Sequence, residues 1–181
     1  MKKLSLILSI LAFTTIIKAQ ENIISINSGY AFLKGQEVRS DFTGWRISGV
    51  YEYNPFGGPV SHGISFGYAS VSGISKNPGL DFDKAIEIAT WPIYYQPKYI
   101  FGNDKVKGYV KGALGWQFAS IKGSVFKAND SGFFGGGGAG LMFNISETFF
   151  INADYELAWV SNYYYRDGWL NSAMGGIGFR F

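Results

Sequence analysis

The sequence predicts an all-β fold, an eight-stranded antiparallel up-and-down transmembrane β-barrel, and three observations carry that prediction. Apolar and polar residues alternate in twos through segments of about 10 to 14 residues. Short and long connections alternate between those segments. Lysine, arginine, aspartate and glutamate keep off the apolar phase in seven of the eight segments. No stretch after residue 20 sets apolar residues at helical spacing between caps, so the helical alternatives fall away.

The amino terminus is read apart from the fold. Lys2 and Lys3 precede the apolar run Leu4 to Ile17, and Ala19 precedes Gln20, the layout of a cleavable export signal over residues 1–19. Its apolar core is shorter than a membrane-spanning helix needs. The barrel domain is then 20–181, about 160 residues, room for one domain. Removing Lys2, Lys3 and Lys18 leaves 13 basic residues against 13 acidic ones, so the mature chain is formally neutral and offers no nucleic-acid surface. With no cysteine there is neither a disulfide framework nor a thiolate metal site.

The strands follow in order: Asn22 to Leu33, Phe42 to Tyr53, Val60 to Ser72, Ala85 to Phe101, Val106 to Phe118, Phe133 to Ile145, Thr148 to Ser161 and Trp169 to Phe181. The second sets Trp45, Ile47, Tyr51 and Tyr53 against Arg46, Ser48 and Glu52. The fifth sets Val106, Val110, Leu114, Trp116 and Phe118 against Lys107, Tyr109, Lys111 and Gln117. The seventh sets Phe149, Ile151, Tyr155, Leu157 and Trp159 against Asn152, Asp154 and Glu156, and the eighth sets Ala173, Ile177, Phe179 and Phe181 against Ser172, Gly178 and Arg180. The first, third and sixth show the same contrast more softly.

Residues Asn54 to Pro59, Gly102 to Lys105 and the pair Ser146-Glu147 are short turns. Lys34 to Asp41, Gly73 to Lys84, Ala119 to Gly132 and Asn162 to Gly168 are expected to be the longer loops of the opposite rim. Aromatics gather near both rims, as interfacial girdles do.

In lipid the apolar phase faces hydrocarbon and the polar phase the lumen. Arg46, Glu52, Lys98, Lys107, Lys111, Asp154, Glu156 and Arg180 are therefore expected inside, paired as an ion network that fills a barrel only wide enough for its own side chains. The fourth strand is irregular. Ile86 and Ile88 are apolar in one phase and Trp91, Ile93, Tyr95, Tyr99 and Phe101 in the other, with Pro92 at the change and Pro97 beyond it. Proline cannot donate to a ladder. A β-bulge between Ile88 and Pro92 is expected, with a weakened lateral seam beside Pro92 and Pro97.

The ending Gly176-Ile177-Gly178-Phe179-Arg180-Phe181 resembles the carboxy-terminal signature of outer-membrane barrels. With the export signal and the strand count, the whole mature chain resembles the small eight-stranded outer-membrane proteins of the OmpX, OmpW and OmpA-barrel types, and especially the PorT-like group. The resemblance implies a Gram-negative outer-membrane location reached through the periplasm. It also implies contact with membrane lipid, and recognition of Ile177, Phe179 and Phe181 by the barrel-assembly machinery.

Other motifs have plainer readings. The run Gly135 to Gly140 satisfies a dinucleotide-binding spacing but lacks the helix and parallel sheet such a site requires. His62, the single histidine, stands at the periplasmic rim without a nameable partner. Asp154 and Glu156 share one face of one strand, as an acid and base pair would, but lysines and an arginine are available to pair with them. Asn144-Ile145-Ser146 reads as turn chemistry. No catalytic, cofactor-binding or metal residue is expected. The function read from these features is structural or interactive: a plugged barrel, or an accessory subunit with a protein partner in an outer-membrane complex. A narrow or laterally opening conduit for small apolar molecules is the alternative, and an outer-membrane lipid-modifying enzyme the third reading.

Overall fold

The computed structural model describes residues 21–35, 41–75, 84–123, 127–161 and 168–181. The export signal expected over 1–19 lies outside the described residues. The strands are β1 (Glu21–Gly35), β2 (Asp41–Asn54), β3 (Val60–Ser75), β4 (Lys84–Gly102), β5 (Val106–Gly123), β6 (Lys127–Asn144), β7 (Phe149–Val160) and β8 (Gly168–Arg180). Each pairs antiparallel with its sequence neighbours, and β8 returns to β1 to close the barrel. Closure leaves no sheet edge to be satisfied in lipid.

The two phases sort as hydrocarbon demands. Ile26, Ile64, Phe66, Leu114, Trp116, Phe118, Ile177 and Phe179 stand exposed on the outer wall, while Arg46 and Glu156 are wholly buried inside. This inversion of the soluble pattern is why the chain needs a membrane around it. Girdle aromatics meet across the outer wall: Tyr68 bridges Trp45 and Trp91 with ring centroids 5.2 and 5.5 Å away, and Trp159 meets Trp169 edge-on at 5.2 Å. Toward the other rim the Tyr51 hydroxyl donates to Asn22 Oδ1 at 2.8 Å.

Two expectations need correction. The first is the bulge: β4 pairs with β3 in one constant register, from Val60 opposite Tyr99 to Ser75 opposite Lys84, and with β5 in another, from Ile86 opposite Gly123 to Gly102 opposite Lys107. No residue is inserted. Ile86 and Ile88 point inward because the lumen itself turns apolar toward the long-loop end, where Ile88 packs with Leu33, Phe42, Ile121, Phe134, Val160 and Leu170. Glu87 correspondingly faces out and is exposed.

The prolines act otherwise. The β3 ladder skips the rungs of Trp91 and Pro92, and the β5 ladder skips those of Gln96 and Pro97. The prolines are five positions apart, an odd spacing, so their missing donors face opposite neighbours. Each ring is seated against a glycine: a Cβ on Gly67 would lie 3.0 Å from Pro92 Cγ, and one on Gly112 would lie 3.2 Å from Pro97 Cγ.

The second correction concerns the expected loop Ala119 to Gly132. β5 runs on to Gly123 and β6 begins at Lys127, with Lys122 opposite Lys127. This extension lies beyond the girdle, where polar headgroups and water meet the outer face and no apolar stripe is required, so the sequence there lacks the membrane pattern.

Candidate functional site: the lumen

The lumen is built in layers. Ile23, Tyr109, Met142 and Phe150 close its short-turn end, and the Leu33, Phe42, Ile88 and Phe134 cluster closes the other. Between them lie the charges of Arg46, Lys111, Asp154 and Glu156. Arg46 Nη1 is 2.6 Å from Glu156 Oε1, and Lys111 Nζ is 2.8 Å from both Asp154 Oδ1 and Glu156 Oε2. Arg46 also donates to Ser172 Oγ at 3.1 Å and to the Tyr94 hydroxyl at 2.9 Å, and that hydroxyl donates to Glu156 Oε2 at 2.9 Å. The guanidinium carbon lies 5.8 Å from the Tyr94 ring centre and 5.7 Å from that of Phe134. Tyr109 completes the cluster by donating to Asp154 Oδ2 at 2.7 Å.

Register explains how residues on non-adjacent strands meet. Lys111 on β5, Gly138 on β6 and Glu156 on β7 share one rung, and Tyr109, Gly140 and Asp154 share the next inward-facing one. A Cβ on Gly138 would lie 2.9 Å from Lys111 Cε, and one on Gly140 would overlap the Tyr109 ring. The glycine run therefore clears the lumen side of β6 for two β5 side chains to reach β7.

The eight lumen residues named from the sequence divide into separate groups. Arg46, Lys111, Asp154 and Glu156 meet at the centre. Glu52 pairs with Lys98 and also accepts a hydrogen bond from Ser61 Oγ at 3.0 Å. Arg180 lies toward the short-turn end, 3.0 Å from Glu21 Oε1 and donating to Asn144 Oδ1 at 2.8 Å. Lys107 departs from expectation. It is half-buried, lines the short-turn mouth with Glu21 and Asp104, and has no ion-pair partner among the described residues. Its rung lies too near the rim for the carboxylates of β7 to reach it.

Tyr94, Tyr109 and Ser172 are the members that charge-based reading missed. Their signal was the phase alone, since Tyr109 precedes Lys111 by two and Ser172 faces inward with Arg180. His62 faces outward, stacked on Tyr95 and hydrogen-bonded to its hydroxyl, away from both central carboxylates. Among the described residues no three His, Asp or Glu side chains gather as a metal would require.

Inside the lumen a cavity of about 10 Å³ lies beside the ion cluster, bordered by Gln96, Lys98, Lys111, Asn152 and Asp154. That is room for about one water. Two cations and two carboxylates meet at the centre and the Glu52–Lys98 pair adds one of each, so these three cations and three carboxylates balance. Such charges are tolerated only when paired and hydrogen-bonded in this way.

An apolar outer wall, a closed ladder and an ion-filled lumen define a small integral outer-membrane barrel. A family model described as the outer membrane protein beta-barrel domain matches residues 5–181, and the chain belongs to that family. Its place is the outer membrane, in contact with membrane lipid. Among solved structures, neisserial surface protein A is similar with a TM-score of 0.65 at 12% identity, over 88% of this chain and 97% of that one. Ail of Yersinia pestis scores 0.55 at 21% identity, over 89% and 98%. The N-terminal β-barrel domain of Pseudomonas aeruginosa OprF scores 0.52 at 19% identity, over 90% and 98%. These likenesses are of fold. Comparison with curated protein sequences finds no match.

Proposed function

We propose that this chain is a closed, non-conducting barrel that works through its rims and outer surface rather than through its lumen. The observation that carries the reading is the cross-lumen cluster of Arg46, Glu156, Lys111 and Asp154, with an apolar layer on either side and space for one water beside it. A conduit needs a continuous path, and an ion moving along this axis would have to part Lys111 from two carboxylates. Both seams of β4 keep one register past Pro92 and Pro97, which argues against a lateral opening at rest, although a concavity of about 290 Å³ borders Pro97 and Gly112.

The same arrangement argues against an enzyme. Asp154 and Glu156 are both engaged by cations, and His62 is on the opposite side of the wall. The role is then structural or interactive, including that of an accessory subunit in a larger outer-membrane complex. In biogenesis we assign Ile177, Phe179 and Phe181 as the stripe read by the barrel-assembly machinery; all three stand exposed on the outer wall. Export by a signal over residues 1–19 belongs to the same reading.

The test is conductance. The refolded barrel in planar lipid bilayers should show no sustained single-channel current. Steady currents from the wild type would reject the closed-lumen reading.

A further inference from the structure

The outward face of the β5–β6 hairpin changes character rung by rung toward the long-loop end. Trp116 stands opposite Phe133, Phe118 opposite Ser131, Ser120 opposite Asn129, and Lys122 opposite Lys127. Alternation puts all four rungs on the outer wall, where Trp116 and Phe118 are exposed. Both lysines are exposed as well. Lys122 lies four residues past Phe118, about 10 Å further along the membrane normal for a strand tilted by about 40°. That is headgroup depth, above the aromatic girdle.

Like charges directly opposite one another on paired strands repel. Neither lysine has an ion-pair partner among the described residues; the one carboxylate in register there is Glu87, opposite Lys122 on β4, so among the described residues the patch keeps an excess positive charge. Asp130 lies on the inward phase of β6, away from this face. A concavity of about 530 Å³ opens beside Lys122, bordered by Ser72, Ile74, Ala85 and Glu87.

We propose that the Lys122–Lys127 rung binds the phosphate of an outer-leaflet lipid. Ser120 and Asn129 offer hydrogen bonds to the polar linker one rung deeper, and Trp116, Phe118 and Phe133 lie against its acyl chains. The order of the rungs selects a lipid over a soluble anion, because the cationic rung leads without interruption into the hydrocarbon-facing aromatics. An anion at this rung relieves the repulsion the register imposes.

The full chain, purified in detergent, is titrated with diphosphoryl lipid A and with its dephosphorylated form, and bound lipid is counted by native mass spectrometry. Wild type should prefer the phosphorylated lipid, and K122Q/K127Q should bind it about 25-fold more weakly, at roughly a fivefold loss per lysine. K122R/K127R should retain binding. Heat-modifiable migration on gels confirms that each variant is folded, and these exposed positions leave the lumen untouched. Equal binding of both lipids by wild type, or unchanged binding by folded K122Q/K127Q, would overturn the proposal. So would displacement of the lipid by millimolar inorganic phosphate, which would mark a site for free anions.

Discussion

Lys111 and Glu156 sit on strands that are not neighbours, yet Lys111 Nζ lies 2.8 Å from Glu156 Oε2, reached across Gly138 on the strand between. A Cβ at position 138 would lie 2.9 Å from Lys111 Cε in that path and would overlap the backbone oxygen of Tyr155. Gly138→Ala should therefore destabilise the folded barrel by about 2 kcal/mol, within the range for overpacking a filled interior. Gly49→Ala, where an added Cβ meets nothing within 4 Å, should cost little. Urea unfolding in lipid vesicles, followed by tryptophan fluorescence, separates the two; equal midpoints would contradict the role given to Gly138.

Removing one charge from the central cluster should cost more than removing a balanced pair. Lys111→Met leaves a surplus buried carboxylate and should cost about 3 kcal/mol or more. Lys111→Met with Asp154→Asn removes one charge of each sign and should recover much of that loss. The double-mutant cycle reads the coupling. Strictly additive losses would mean that the pair is held apart by solvent.

The two prolines should leave local marks on the ladder. Pro97→Ala supplies the donor that Gly112 lacks, so amides on the β4–β5 seam near Gly112 should exchange more slowly with solvent deuterium, while the β3 seam near Gly67 stays as it was. Pro92→Ala should do the reverse. Global stability should change by less than about 1 kcal/mol, since the gained hydrogen bond and the lost chain restriction oppose each other. Identical exchange in both variants would show that the gaps have another origin.

Phe181 separates assembly from stability. Its backbone exchanges two 3.0 Å hydrogen bonds with Asn22 at the closing seam, and Phe181→Ala retains these. The purified variant should unfold within about 1 kcal/mol of wild type, as surface substitutions do, while its folded yield in cells falls several-fold. Normal yield in cells would remove Phe181 from the assembly signal.

Much of the fold was legible because a membrane wall forces a period of two, and Trp116 or Asp154 cannot exchange faces without a cost in lipid. The site was legible only to the level of the face. Which charges meet depends on rung, and a rung is set by pairings between strands far apart in sequence. Hence Lys107, with the right phase, stands too near the rim to join Asp154 and Glu156. Ile86 and Ile88 suggested a bulge because an apolar lumen layer looks like a change of phase. Ala119 to Gly132 read as loop because a strand above the hydrocarbon has no greasy stripe to show.

The division of faces itself can be measured directly, because the chain has no cysteine and each introduced thiol is unique. A bimane-type label at Leu114 or Ile64 on the outer wall and at Gln117 or Ser65 inside is compared in vesicles of ordinary and brominated phospholipid. Strong quenching by the brominated chains at positions 114 and 64, with little at 117 and 65, is the expected result. Quenching at 117 and 65 with protection at 114 and 64 would mean that the ionic side chains face the lipid, and would contradict an inside-out barrel.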